Sequence, residues 1–445
     1  MFNTTNRLQL PKTGSFIFLI WIITSILSGC SSQQRIEEEG TDWQFYAQRS
    51  EIEPAHWVDR DVLFEDQQTL ALSGEGKAYI NGSWKRFIGA KSGQYYEFNS
   101  HFKVENVEQI DRSVLAQITW LNKDGEKVEF IEFPAFKAQP VNGWYRIQQI
   151  YKVPEETVKA RIDLIYRWDP DGIVFFGGTE FREFTPPDSR KVRVAAIHHR
   201  PENMKNPAQS RESFREHVKN AGEQGADIVC LPEGITIVGN SMSYVEVSEP
   251  IPGPSTEYLG QLGKEYNMYI VAGIYERDGP VVYNTSVLIG RDGKLEGKYR
   301  KTSLPREEID GGITPGTEFP VFDTDFGRIG MMICWDVFFP EVARQISLKG
   351  AEIIFMPIWG GDLTLAKARA IENQIYLVSS SYDMKTGVFD KTGELMVEGT
   401  EENPLAIVDI DLNQRELWWW LGEFRNRIQR ERPVDHNTAN ASSLK

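Results

Sequence analysis

The sequence predicts two unlike units, an all-β sandwich followed by an α/β domain whose two sheets are covered on their outer faces by helices. Three observations predict this. Residues 43–184 run in short alternating segments divided by turn residues. From residue 192 the pattern changes to strand, helix, strand. Between them, Thr185-Pro186-Pro187-Asp188-Ser189-Arg190 sets two prolines in a polar run, which marks a stiff linker over 185–191. A length of 445 residues, with 40% hydrophobic and 25% charged residues, suits two globular domains. The net charge of −15 argues against a nucleic-acid partner, because phosphate binding needs a basic surface.

Residues 1–30 form a targeting segment. Arg7 and Lys12 supply a basic start, and the apolar run 16–27 is too short to span a bilayer comfortably. Leu27-Ser28-Gly29-Cys30 resembles the bacterial lipobox, whose cysteine becomes the lipidated N-terminus. The resemblance implies several acyl chains on Cys30, enough for stable membrane attachment. It places the protein in the bacterial cell envelope, at the outer membrane or cell surface rather than the inner membrane. An ordinary secretory signal or an uncleaved anchor is the alternative. Residues 31–42, with Glu37-Glu38-Glu39-Gly40, read as a tether. Cys30, Cys230 and Cys334 do not suit a disulfide framework.

In the sandwich, Lys91-Ser92-Gly93-Gln94, Lys123-Asp124-Gly125-Glu126 and Asn142-Gly143 are the turn signals. The order Gly82-Ser83-Trp84-Lys85-Arg86, Tyr95-Tyr96-Glu97-Phe98, Trp120-Leu121-Asn122 loosely resembles galactose-binding-like jelly rolls, including carbohydrate-binding modules. That implies a possible glycan ligand stacked on Trp and Tyr rings, although aromatics at strand spacing are more often core.

In the second unit, strands are expected at 192–197, 228–231, 269–274, 328–334, 353–356, 376–380 and 405–410. Helices are expected at 210–222, 255–264, 340–349 and 363–375. Hairpins turn at Arg291-Asp292-Gly293 and at Asp390-Lys391-Thr392-Gly393. Three strand ends hold chemistry. Cys334 closes Ile329-Gly330-Met331-Met332-Ile333, at a strand-to-helix turn where a helix N-terminus can lower a thiol's pKa. Glu233 closes Asp227-Ile228-Val229-Cys230-Leu231-Pro232, at the carboxyl end where open sheets place their sites. Lys301 sits in Tyr299-Arg300-Lys301. A nucleophile, a base and a cation are what amide hydrolysis requires.

These three motifs, in this order, resemble the nitrilase superfamily of carbon–nitrogen hydrolases over about residues 190–435. The resemblance extends to Phe322-Asp323-Thr324-Asp325-Phe326-Gly327-Arg328 and Arg369-Ala370-Ile371-Glu372-Asn373. It implies a four-layer α-β-β-α sandwich over 192–435 with a tail at 436–445, and a homo-oligomer. The aromatic, basic stretch 418–433 corresponds to a segment that crosses to a partner subunit in the family. It also implies a second glutamate that orients Lys301; spacing favours Glu308 slightly over Glu307. Cys334-Trp335-Asp336 with Phe339-Pro340-Glu341 looks closer to the amidase and carbamoylase branches than to true nitrilases. The expected substrate is therefore a small amide or N-carbamoyl compound. Trp335, Trp359 and Asp362 are the expected substrate contacts, with Trp335 also offering a backbone N–H to the oxyanion. His198-His199 read as a satisfied strand-end pair. No cofactor is expected, and no Cys/His spacing suggests a metal. The competing class is a glycan-binding lipoprotein whose hydrolase unit is a non-catalytic scaffold; three intact motifs favour the enzyme.

The lipobox reading predicts that mass spectrometry of the membrane fraction finds a mature chain beginning at acylated Cys30. A soluble, unmodified N-terminus at another position would refute it.

Overall fold

The computed structural model describes residues 42–132, 134, 136–418 and 422–431. Cys30, the signal, the tether up to residue 41 and the tail 436–445 lie outside the described residues.

The first unit is built from two antiparallel sheets. One orders its strands Gln44–Ala47, Asn81–Gly89, Lys159–Arg167, Val114–Leu121, Lys127–Glu132. The other orders Ala55–Phe64, Gln67–Ser73, Ile173–Glu183, Tyr95–Glu105, Trp144–Lys152, Phe136–Val141. Period-two alternation sends Tyr96, Phe98 and Phe102 of one sheet inward to meet Trp84, Trp120 and Leu164 of the other in one apolar core. Asn142 and Gly143 both take positive φ, 52° and 82°, the backbone that a two-residue hairpin needs. Trp84, Trp120, Tyr151 and Tyr166 are fully buried. These rings are core and cannot stack on a sugar.

The second unit holds two six-stranded sheets. In the first, Lys191–Ile197, Ile228–Cys230 and Tyr269–Asp278 run parallel, flanked by antiparallel Leu405–Asp411 on one side and Val281–Ile289 with Leu295–Arg300 on the other. In the second, Arg328–Met331, Ile353–Ile358 and Tyr376–Ser381 are parallel. Val192, Val194 and Ala196 face the second sheet's Met331 and Phe355 in one core. Ala195 and Ile197, on the opposite face, meet the helices Arg215–Glu223 and Pro254–Glu265. Helices Pro340–Leu348 and Leu363–Asn373 pack on the second sheet through Val342, Ile346, Ala366 and Ala370. The layers are helix, sheet, sheet, helix.

Two elements differ from expectation. The helix expected over 210–222 is broken into Pro207–Glu212 and Arg215–Glu223. The Ser213 hydroxyl donates to the Ser210 carbonyl at 2.7 Å and competes with the helix ladder. The strand expected to reach Cys334 ends at Met331, because Cys334 turns to φ +42° and opens the 3-10 segment Cys334–Phe338.

The junction between the units is pinned at the amino ends of the parallel strands. The Ser189 hydroxyl donates to Asp411 at 2.7 Å, Arg190 donates to Asn413 at 3.0 Å, and Arg190 also pairs with Glu352. After the last strand the chain returns to the first unit rather than extending away. Arg415 bridges buried Glu132 of the first unit at 2.7 Å and Glu423 at 2.6 Å. Gly422, at φ +72°, passes so close to the Ile131 carbonyl that a Cβ would lie 2.3 Å from its oxygen. Arg430 donates to the Pro134 carbonyl, and Arg425 to those of Ala351 and Gln374 at 2.6 and 3.1 Å. The described part of the stretch expected to reach a partner subunit thus ties together the two units of its own chain.

Burial pushes the Glu132 carboxyl up against the pull of Arg415. Removing its partner strands it. Arg415→Ala is predicted to lower the denaturation midpoint by the equivalent of about 3–5 kcal/mol, the cost of breaking a buried pair from one side. An unchanged midpoint in urea would show the pair to be dispensable.

Candidate active site

Glu233, Lys301 and Cys334 converge, although 101 positions separate the first from the last. Glu233 follows the short strand Ile228–Cys230. Its backbone presses on Tyr269–Asp278 at Gly273, where a Cβ would come within 2.7 Å of the Glu233 Cα. Only glycine permits that approach. The Tyr382 hydroxyl donates to the Glu233 carbonyl at 3.0 Å. The carboxylate is 2% exposed in residue terms, and donors meet both oxygens. Oε1 accepts from Lys301 Nζ at 2.9 Å and Asn284 Nδ2 at 2.7 Å; Oε2 accepts from the Trp359 backbone N–H at 3.0 Å.

Lys301 ends the Leu295–Arg300 edge strand and is 1% exposed. Its ammonium also donates to Glu308 Oε1 at 2.9 Å. Burial alone pulls its pKa down, but Glu233, Cys334 and Glu308 outweigh that and hold it above the ordinary value. Lys301 is therefore a fixed cation. Glu308 lies on the short helix Arg306–Asp310 and is the glutamate that reaches Lys301. Burial first, and Glu233 against the opposing pull of Lys301, push its carboxyl up to about 7.

Cys334 holds left-handed φ at the head of its 3-10 segment, which aims a partly exposed side chain out of the sheet. The thiol donates to the Gly360 carbonyl at 3.5 Å, with the Glu233 carboxylate near enough to act on its charge. The lowering of its pKa that a helix N-terminus can bring does not occur. Burial and then Glu233 push the thiol up to about 12, against the weaker opposing pull of Lys301. One 3-10 turn has too few aligned peptides to reverse this. The ligand-free group is a thiol with a base in reach, not a standing thiolate.

Asp336 fastens this turn. Fully buried, its carboxylate accepts from the Tyr299 hydroxyl at 2.7 Å, the Ile333 N–H at 2.9 Å and the Ser303 N–H at 3.0 Å. It links the cysteine turn to the residues flanking Lys301. Neither Asp336 nor Asn284 was singled out in the sequence. Asn284 opens Asn284-Thr285-Ser286, a polar run within the strand Val281–Ile289 that proves fully buried and does not by itself mark which of the three serves the site.

The expected substrate contacts divide. Trp335 and Trp359 are 36% and 37% exposed. The Trp335 ring lies 4.4 Å from that of Phe338 and the Trp359 ring 4.8 Å from that of Tyr382; Trp335 follows Cys334 in the chain, and Trp359 reaches Glu233 through its backbone N–H. Asp362 caps a helix: its carboxylate accepts the Leu365 N–H at 2.9 Å at the start of Leu363–Asn373. Arg200 lies over the Trp359 and Tyr382 rings and pairs with Asp383 at 2.8 Å. His198 bonds the Ser381 carbonyl at 2.9 Å. His199 packs on Phe214 and His217, its pKa pushed down to about 4 by burial, with Nε2 unpartnered among the described residues. Only the first of that histidine pair is satisfied.

A thiol, a carboxylate and an ammonium at one buried point can attack, protonate and stabilise an acyl group. Comparison with known proteins agrees with that chemistry. Residues 193–419 match the carbon-nitrogen hydrolase family model. The chain belongs to the carbon–nitrogen hydrolases. It is an amidase-like enzyme of the nitrilase superfamily. Human omega-amidase NIT2 is 33% identical over 238 residues, covering 47% of this chain and 84% of the relative. A nitrilase from Pyrococcus abyssi is 37% identical over 243 residues, covering 50% and 90%. Among solved structures, Nit3 of Saccharomyces cerevisiae, from branch 10 of the superfamily, is 26% identical with a TM-score of 0.44, covering 50% of this chain and 90% of its own.

Asp336→Ala leaves several buried donors unpaired, at about 1–3 kcal/mol each. It is predicted to lower the melting temperature far more than Asp362→Ala, which loses only a helix cap worth about 1 kcal/mol. Equal shifts in calorimetry would contradict the assigned roles.

Proposed function

We propose that this protein hydrolyses a non-peptide carbon–nitrogen bond, in an amide or N-carbamoyl compound, through a thioester on Cys334. The observation that carries the proposal is the Lys301 ammonium held between Glu233 and Glu308 beside the thiol. Glu233 takes the Cys334 proton as sulfur bonds the acyl carbon. The oxyanion forms against Lys301. Glu233 returns the proton to nitrogen, the C–N bond breaks, and ammonia or an amine leaves. Glu233 then deprotonates water, which attacks the thioester; the C–S bond breaks, the acid departs, and sulfur recovers its proton. Glu308 keeps Lys301 in place. Trp335 and Trp359 form the aromatic wall of the entrance. The amide side of the choice is supported by the omega-amidase relatives, which match across most of their own length.

The same proposal places the enzyme in the cell envelope, held by lipid on Cys30. The first unit is read as a jelly-roll sandwich, with any glycan contact on its outer surface rather than through its core tryptophans.

The test is ammonia release from a panel of amides, N-carbamoyl compounds and nitriles. Cys334→Ala is predicted to abolish turnover with an unchanged circular dichroism spectrum, since it removes one sulfur from a partly buried side chain at the edge of the core. Cys334→Ser is predicted to be nearly as inactive, because a carboxylate deprotonates a hydroxyl poorly. Lys301→Ala should lose about 10²-fold or more. Full activity of Cys334→Ala would end the mechanism.

A further inference from the structure

We propose that Asn284 is a positioning residue of this site: its amide holds the Glu233 and Glu308 carboxyl groups in place about Lys301, leaving one ammonium proton free for the substrate oxygen. The inference rests on the mechanism proposed above. Asn284 Nδ2 stands 2.7 Å from Glu233 Oε1 and 2.7 Å from Glu308 Oε1, so its two N–H bonds reach one carboxylate each. Lys301 Nζ contacts the same two oxygens at 2.9 Å each. Two carboxylate oxygens and two nitrogen donors therefore close a ring. An ammonium has three donors, and the ring uses two of them.

The amide is oriented for its donors at the expense of its acceptor. Asn284 Oδ1 is buried with no partner among the described residues, an arrangement that costs stability. A side chain present only for packing has no reason to accept that cost. Its backbone serves the site too, its carbonyl accepting the Lys301 N–H at 2.8 Å.

Charge explains the need. Two carboxylates face one cation in a buried space, so one carboxylate tends to take a proton. The groups around them are Lys301, Cys334 and the Tyr244 and Tyr275 rings, with Tyr382 beside Glu233. Lys301 alone among these carries positive charge. The Asn284 hydrogen bond favours the ionised form of Glu308, whose carboxyl burial already pushes up to about 7. Without the amide, Glu308 protonates at higher pH and releases its hold on Lys301.

The experiment compares the native full-length protein with Asn284→Ala and Asn284→Asp in two measurements across neutral pH. One is ammonia release from the best amide of the panel. The other is the alkylation rate of Cys334 by iodoacetamide, read on its own peptide, which needs no substrate. The proposal expects kcat to fall about 10- to 100-fold, the loss of a hydrogen bond to a charged group, with KM little changed. It also expects the acid limb of both profiles to move to higher pH. A uniform loss with the limb unmoved would overturn it, as would native rates. If Asn284→Ala does not fold, Asn284→Asp, of similar volume, decides by the same criterion. If neither folds, Asn284 serves the core and the proposal fails. If the native protein releases no ammonia from any compound, the functional reading fails, and alkylation still decides the role of Asn284.

Discussion

A lysine ammonium shut away from water is the constraint around which the second unit is organised. Burying that charge costs several kcal/mol and is tolerable only when partners surround it. Lys301 has Glu233 and Glu308 as partners, and they repel each other. Burial first, and this surplus negative charge with it, keeps Cys334 as a thiol, because a thiolate would add a third anion. The same electrostatics that stabilise the lysine thus set the resting state of the sulfur.

The constraint also explains why two sheets are needed. Glu233 and Lys301 come from the first sheet and Cys334 from the second, and the apolar core between them fixes their separation. Cross-links supplement that core. The Trp359 N–H, on the second sheet, donates to Glu233, and Asp336 joins the cysteine turn to Tyr299 and Ser303 on the first. A slip of one sheet against the other would break these bonds and separate Glu233 from Cys334.

Much of this was legible in the sequence. The strand ends carrying Glu233, Lys301 and Cys334 could be read because apolar runs stop abruptly at polar residues. The change of period after residue 191 separated the two units. Other features were not legible, for physical reasons. Asn284 acts through neighbours 51 and 24 positions away, and a one-dimensional pattern does not show them. The thiol's upward shift follows from burial beside a carboxylate, which no local motif encodes. Asp362 has the same local signal as a ligand-reading acid, yet caps a helix. The return of the 415–431 segment to the first unit depends on Glu132, nearly three hundred residues earlier.

The pinned junction has a consequence for how the enzyme can be altered. Arg190, Glu352 and Asp411 lie at the amino ends of the parallel strands or beside them, whereas Glu233, Cys334 and Trp359 follow the carboxyl ends. A strand of six residues, such as Ile353–Ile358, sets these two ends roughly 20 Å apart. The first unit therefore stands behind the catalytic layer and does not roof it. The exposed rings beside those carboxyl ends are Trp335, Phe338 and Trp359, all from the second unit. The rear unit can therefore be remodelled with the surroundings of Glu233, Lys301 and Cys334 left as they are.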